Sequence, residues 1–600
     1  MKPIKVEGKR ARSRRSILSI LGVILDQEEK RKLFFFGVVG LILSVLETFV
    51  ILLLALVATA TFSIVNQSST TLTAKFSFLN LSPVELVQFG AITWFILTIV
   101  KLVANLFLTN CFNRYLATLL SNKQAVLHEK LIRACYSRIK FGKSIENLAA
   151  IDSGVEAILF GKIGAIFTIF NESVTFLMVI IGLVLADSPE VVIYLILLGI
   201  ILLPTGRLLN GKARSEGILY AKYNAKLNRS ILDSFGVYRE ILLSGEIGSF
   251  FQESIRLRER KNTSAAKLTT LGYLSRFVVE TLVLILLFLI GIFSVLSGNL
   301  QGTIISLIML FGAMSRLVPS IIRGQNALVL LNTSSGKAHF TQALLNSKEF
   351  NSQRESQVTT NLSFEPVIEF NDVSFAYSKA PEILHNLNIR IEKGEFVAII
   401  GPSGVGKSTL IDLMLGFIKP KSGKITISNL EPEAAWRLWP SCISYVPQDP
   451  VMIEGNIVRN VCLRDTPDDA DLVMSLMEDL NLVEELKDRF VDINQVNLGE
   501  KGLGLSGGQK QRVSIARAIY AKPKLIILDE STNSVDLKTE KQIIQVIERY
   551  RLESHATLIV IAHRPETIMA ADKIILLNDG KLERVINPSE VHDFFLNLMK

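Results

Sequence analysis

Cysteine is scarce in this 600-residue chain: Cys111, Cys135, Cys442 and Cys462 are the only four, and none forms a CxxC pair or a Cys/His cluster. Neither a disulfide framework nor a zinc site is indicated. The N-terminus lacks a short apolar run followed by a small-residue cleavage site, so no cleaved signal peptide is expected. Lys and Arg are nearly missing from three connections, "NQSSTTLTAKFSFLNLSP", "DSPE" and "SGNLQG". The formal net charge is still +9, but "KRARSRR" and "EEKRK" stand directly before the first long apolar run, where the positive flanks of a membrane span account for them. No nucleic-acid partner is expected.

Apolar residues are what the chain has in abundance. They make up 49% of it, at a mean hydropathy of +0.38, and concentrate in the first half. Runs long enough to cross a bilayer occur near residues 33–63, 86–110, 157–186, 191–209, 271–297 and 303–322, giving roughly six spans. The connections at 114–155 and 207–270 are rich in Lys and Arg, unlike the three above, which puts both termini in the cytoplasm. These basic connections carry helical patterns such as "YLATLLSNKQAVLHEKLIRACYSRI", so spans two to five are expected to continue into the cytoplasm as long helices. A multi-pass membrane protein is the expected setting.

The length exceeds one core and predicts several domains. The expected division is a cytoplasmic N-terminal segment with an elbow helix (1–32), a transmembrane domain (33–335), a linker (336–365) around the polar "NSKEFNSQRESQVTTNLSFEP", and a nucleotide domain (366–600). From "VIEFNDVSFAY" onward strands such as "GEFVAIIG" and "KLIILDE" alternate with helices, as in an α/β domain.

Two motifs in that domain carry phosphate chemistry. "GPSGVGKST" fits the G-x-x-x-x-G-K-[ST] pattern with Gly401, Gly406, Lys407 and Ser408 in the defining places, and Ser403, Gly404 and Thr409 in the same loop. It follows the apolar "FVAII" and opens the helical "TLIDLMLGF", the context that gives the pattern its meaning. Glycines let backbone N–H groups approach the phosphates of ATP, Lys407 pairs with the β/γ oxygens, and Ser408 can hold Mg²⁺. "KLIILDE" is a buried strand ending in Asp529, suited to the Mg²⁺ shell, and Glu530, suited to polarising an attacking water.

Between these motifs lies "LGLSGGQKQR", preceded by "GEKG". With it the chain resembles the ATP-binding cassette transporters over essentially its full length, specifically the exporter type that fuses one membrane domain to one nucleotide domain. The resemblance implies an all-α polytopic bundle of six transmembrane helices with long cytoplasmic extensions, the type I exporter (type IV) fold, followed by an α/β P-loop domain. It implies that Ser506, Gly507, Gly508 and Gln509 act in trans on the nucleotide of an opposite subunit. It further implies that Tyr377 stacks on adenine, Gln448 contacts Mg²⁺, and His563 touches the γ-phosphate. "NSVD", ending in Asp536, matches the loop that runs between two nucleotide domains, although Ser-Ala-Leu-Asp is more usual there. Two sites built from complementary halves call for two copies, and the complete set in this chain suits a homodimer, with a heterodimer as the alternative. Coupling segments are expected near "YSRIKFGKS" and "FGVYREILLSGE".

The cargo leaves a fainter trace. Charges inside the spans, Glu47, Lys101, Glu172, Arg276, Glu280 and Arg316, are costly in lipid and normally face a cavity or a partner. Arg276 and Arg316, with Arg207, Arg114 and Arg323 nearby, could form a basic ring for an anionic head group. The plainer alternative is that these arginines snorkel, and that Arg276 pairs with Glu280 one turn along. "SRFVVE" and "SRLVPSIIR" are similar to segments of bacterial flippases for lipid-linked oligosaccharides, which implies an amphipathic, lipid-linked substrate moved outward among membrane lipids. A drug or lipophilic small-molecule exporter is the alternative within the class, and a membrane-anchored regulatory ATPase without cargo the alternative outside it.

Overall fold

In a computed structural model of the chain, the long apolar runs become helices far longer than a bilayer requires. The structure describes residues 25–66, 82–133, 144–185, 189–297, 300–346, 363–377, 380–487, 498, 504–530, 536–586 and 590. They fall into two units, a helical one within residues 1–353 and an α/β one from residue 354.

The helical unit contains α1 (Gln27–Asn66), α2 (Pro83–Arg133), α3 (Ala165–Leu185), α4 (Pro189–Gly236), α5 (Ile247–Ser297) and α6 (Leu300–Leu345). At 1.5 Å per residue, the 51 residues of α2 and of α5 span about 75 Å, well over the ~30 Å of hydrocarbon. Among the described residues, four stretches are long and apolar enough to cross a membrane: Gln27–Leu54, Val84–Arg133, Glu146–Leu185 and Ile247–Ile285. The spans expected at 191–209 and 303–322 fall within α4 and α6, where the side chains of 189–210 and 300–310 lie outside the described residues. α6 runs to Leu345, so residues 336–345 of the expected linker are helical.

Small residues set a close crossing of α4 and α6. A Cβ on Gly336 of α6 would lie 2.9 Å from the Gly217 carbonyl of α4, and one on Gly217 would lie 2.8 Å from the Thr333 Cα, so only glycine permits this approach. Elsewhere Val179, Leu183, Val279, Val283, Met314 and Leu317 interlock α3, α5 and α6. Before α3 the chain passes through short helices at Ser144–Ile151 and Ser153–Glu156 and a π-helical stretch, Ala157–Gly164. Of the expected coupling segments, 235–246 contains a short helix, Tyr238–Ser244, closed by Gly245 at φ +72°. The other, 136–144, lies almost wholly outside the described residues.

The α/β unit has two sheets. Strands β1 (Ile368–Ala376), β2 (Glu382–Ile391) and β4 (Ser422–Ile427) form an antiparallel sheet in the order β2-β1-β4. Strands β3 (Phe396–Ile400), β5 (Ile443–Val446), β6 (Leu525–Asp529), β7 (Thr557–Ile561), β8 (Lys573–Asn578) and β9 (Lys581–Ile586) form the second, ordered β5-β6-β7-β3-β8-β9 and parallel except for β9. β3, β6 and β7 are buried along their whole length, as their unbroken apolar runs require of a sheet covered on both faces. Their neighbouring carboxyl ends form one edge of the domain, where ligands of such sheets bind.

Candidate nucleotide site

Two strands, β3 and β6, deliver the phosphate loop and the acids to that edge. β3 passes through Gly401–Gly406 into α7 (Lys407–Met414). Gly404 and Gly406 have φ of +82° and +103°, values that an L side chain rarely adopts. A Cβ on Gly404 would meet nothing within 4 Å, so the loop presents an open, side-chain-free concavity at a helix N-terminus. Lys407 is buried, and its Nζ donates to the Gly401 and Pro402 carbonyls at 2.8 and 3.0 Å. Burial pulls its ammonium below the ordinary lysine range, against the opposing pull of Glu530 and Asp529. Ser408 is exposed beside it, and the Tyr377 hydroxyl lies 3.4 Å from Thr409 Oγ1. Ser403 is exposed on the same loop.

β6 ends in Asp529, and Glu530 follows at φ +47°, a left-handed conformation costing a non-glycine residue about 1–2 kcal/mol. Its carboxylate meets two partners from neighbouring strand ends: His563 Nε2, just past β7, lies 2.7 Å from Oε1, and Gln448 Nε2, just past β5, donates to Oε2 at 2.9 Å. Tyr445, which sequence reasoning passed over, donates its hydroxyl to Asp529 Oδ2 at 3.2 Å. The structure therefore gathers Lys407, Gln448, Asp529, Glu530 and His563 from four separate segments. Ser408, Gln448 and Asp529 supply hard oxygen donors of the kind Mg²⁺ takes, beside a loop that can cradle phosphates, so the residues fit ATP with Mg²⁺.

The signature segment begins α8 (Gly507–Tyr520) with a capping box: Ser506 Oγ accepts from Gln509 N at 3.2 Å while Ser506 N donates to Gln509 Oε1 at 3.0 Å. Ser506 and Gly507 are exposed, but Gln509 is buried and its amide donates to Glu485 at 3.2 Å. Glu485 also takes both arms of Arg512, at 2.8 and 2.6 Å, which holds its carboxyl below the usual range. No local pattern announced Glu485. Asp536 is the N-cap of α9 (Leu537–Ser554), accepting from Lys538 N and Thr539 N, both at 3.0 Å. The residues before it, 531–535, lie outside the described set. The carboxylate of Glu540 in α9 is buried against Arg564 and Thr567, which fixes the turn carrying His563.

The helical unit separates the two arginines proposed for cargo. Arg276 is exposed and donates to Glu280 at 2.7 Å, the one-turn pair. Arg316 lines a polar cavity of about 650 Å³ together with Glu47, Lys101, Glu172 and Arg323, and Arg276 is not among its lining residues. Glu47 there binds Lys101 and, at 2.8 Å, Arg316, while Glu172 takes a bidentate Arg323 at 2.5 and 3.1 Å. Arg114 is exposed on α2, and the Arg207 side chain lies outside the described residues.

Known proteins match this picture. The family model described as ABC transporter matches residues 384–533. "ABC transporter B family member 1" of Dictyostelium discoideum is 37% identical over 224 residues, 36% of this chain and 24% of that protein. "Uncharacterized ABC transporter ATP-binding protein YfiB" of Bacillus subtilis (strain 168) is 31% identical over 350 residues, 56% of this chain and 58% of that protein. "Multidrug resistance protein homolog 65" of Drosophila melanogaster is 36% identical over 36% of this chain and 16% of that protein. The chain thus spans between about a sixth and three fifths of the length of these relatives. A solved structure described as a bacterial Atm1-family ABC exporter with ATP bound superposes with a TM-score of 0.77 over 96% of this chain and 99% of that one, at 20% identity. The chain carries an ABC transporter domain fused to a helical unit with stretches long and apolar enough to cross a membrane, and its fold is similar to that of the solved exporter.

Proposed function

We propose that this chain, a membrane domain and an ABC transporter domain in one polypeptide, hydrolyses ATP to drive outward movement of an amphipathic, lipid-linked or otherwise anionic substrate by alternating access. The observation that carries the ATPase reading is the convergence on Glu530 of His563 and Gln448 beside the phosphate loop. In this reading Lys407 and the loop amides hold the phosphates, Asp529, Ser408 and Gln448 hold Mg²⁺, and Glu530 accepts the proton of the attacking water. Mg²⁺, when bound, neutralises phosphate charge. His563 keeps the Glu530 carboxylate aimed, and the exposed Ser506 and Gly507 face outward to serve a second subunit's site. A homodimer in a bacterial plasma membrane, with both termini cytoplasmic, suits this division of labour.

Arg316, in the polar cavity, supports the anionic cargo better than Arg276, which is already paired on an exposed helix face. The match to a protein named for multidrug resistance favours a second reading, a small-molecule exporter. The test is ATPase rate in reconstituted protein across lipids, pyrophosphate-linked lipids and cationic drugs. Stimulation by anionic lipids that disappears in Arg316→Ala supports the first reading. Stimulation by drugs alone, indifferent to Arg316, supports the second.

A further inference from the structure

The polar cavity has an apolar neighbour. A groove of about 710 Å³ runs between α1 and the α3 region, lined by Leu33, Phe34, Val38, Leu41, Ile166 and Phe170, with Lys30 at one end. Among the described residues two line both spaces, Phe112 and Phe167, and they stack with ring centroids 3.9 Å apart and planes 17° apart. Phe36 braces Phe112 edge-on at 5.6 Å. On one side of this pair lie three cations, Lys101, Arg316 and Arg323, against two carboxylates, Glu47 and Glu172. On the other lie hydrocarbon side chains. Each space has the size of a small-ligand site, roughly 300–1,000 Å³.

The excess positive charge favours an anionic group, and Arg316, which meets Glu47 through its Nε, lines the same cavity. Asn171 also lines the cavity, and its Oδ1 has no hydrogen-bond partner among the described residues. A free anion would use this chamber alone. The shared wall gives the groove a use as well.

We propose that the cavity and the groove are one bipartite site for an amphipath, with its anionic headgroup among Lys101, Arg316 and Arg323, its apolar chain in the α1/α3 groove, and the Phe112–Phe167 pair at the junction. This rests on the anionic-lipid reading above and assigns where such a molecule sits. Because a chain gains nothing from leaving lipid for an equally apolar groove, the headgroup supplies the attraction and the groove supplies position. An anionic and a neutral amphipath of equal chain length should therefore differ in where they lie.

The experiment is photocrosslinking in nanodiscs of phosphatidylcholine, using the full chain and hexadecyl phosphate with a diazirine at mid-chain, with the matching hexadecanol as control. Labelling of Phe34, Val38 and Phe170 should be about tenfold stronger for the phosphate than for the alcohol, equivalent to a tenfold affinity difference. It should fall to the alcohol's level in Arg316→Gln and in Phe167→Trp, which crowds the junction, and persist in Phe167→Leu, which does not. Equal labelling by phosphate and alcohol, or phosphate labelling undiminished in both R316Q and F167W, would reduce the groove to ordinary lipid-facing surface and overturn the proposal. So would inorganic phosphate that suppresses all labelling at the cavity while the chain never labels the groove. Crosslinking reads position without turnover, so its failure leaves the ATPase reading intact, and an inactive ATPase leaves the crosslinking interpretable.

Discussion

The α/β unit and the helical unit both gather charged side chains around a space, by opposite means. In the α/β unit, Gln448, Glu530 and His563 each sit within two residues of the carboxyl end of a parallel strand, Lys407 follows β3 after one short loop, and β5, β6, β7 and β3 are neighbours. Sheet register brings them together. In the helical unit, Glu47, Lys101 and Arg316 come from α1, α2 and α6 and meet mid-helix, where nothing but packing aligns them. The first arrangement sets its groups along one sheet edge beside the phosphate loop, with Lys407 buried against loop carbonyls and Glu530 held by His563 and Gln448. The second buries Glu47 and Lys101 to 4% and 5% exposure, so their mutual attraction must offset a large desolvation cost. Charges at strand ends are placed by backbone register, while charges within a bundle are placed by the side chains they pair with.

That contrast can be broken in order of expected effect. Glu530→Gln keeps the shape and removes the proposed base, so phosphate release should fall about 10²–10⁴-fold with ATP binding retained. Wild-type turnover in E530Q would remove Glu530 from the chemistry. In the bundle, Glu47→Gln leaves Lys101 buried without its counter-charge and should cost about 3–5 kcal/mol, read as a lowered unfolding midpoint. Adding Lys101→Met should restore most of the loss, and failure to do so would mean the cost lies elsewhere than in the pair. Gly336→Ala places a methyl against the Gly217 carbonyl and should destabilise by about 1–3 kcal/mol. An unchanged midpoint would show that α4 and α6 can separate freely there.

The smallest effect concerns Glu485 and Arg512. Glu485 is nearly half exposed, so the pair is worth at most about 1 kcal/mol. Its folded-state carboxyl lies below the ordinary value near 4.3, so its contribution is complete above that value and disappears as pH falls through the folded one. The stability gap between wild type and Glu485→Gln should accordingly be constant near neutrality and close in acid. A gap that widened on acidification would reverse the assigned sign.

The phosphate loop, the acids at the end of β6 and the signature segment were legible because each is a short run defined by its own backbone conformation. Glycines at positive φ, a capping Ser506 and a strand terminating in acid are local properties. Glu485, Tyr445 and Glu540 were not legible, because each acts on a residue far along the chain and none sits in a spacing that physics demands. The long helices were also readable, from apolar runs continuing into amphipathic ones. Their close approach through Gly217 and Gly336 was not.

The two arginines proposed for cargo show the same limit. Both lie in apolar context, and sequence alone put them on one footing. Only the packed structure paired Arg276 with Glu280 on an exposed face and turned Arg316 toward Glu47 in a shared cavity. The sequence by itself determined the long apolar helices, the α/β domain and the glycine-rich loop between β3 and α7, since those follow from hydrophobic period and from backbone geometry within a few residues. Tertiary structure alone decided which buried charges meet and where polar and apolar spaces adjoin, because the rotation of a long helix about its axis is set by every neighbour it packs against and by no single stretch of its own residues.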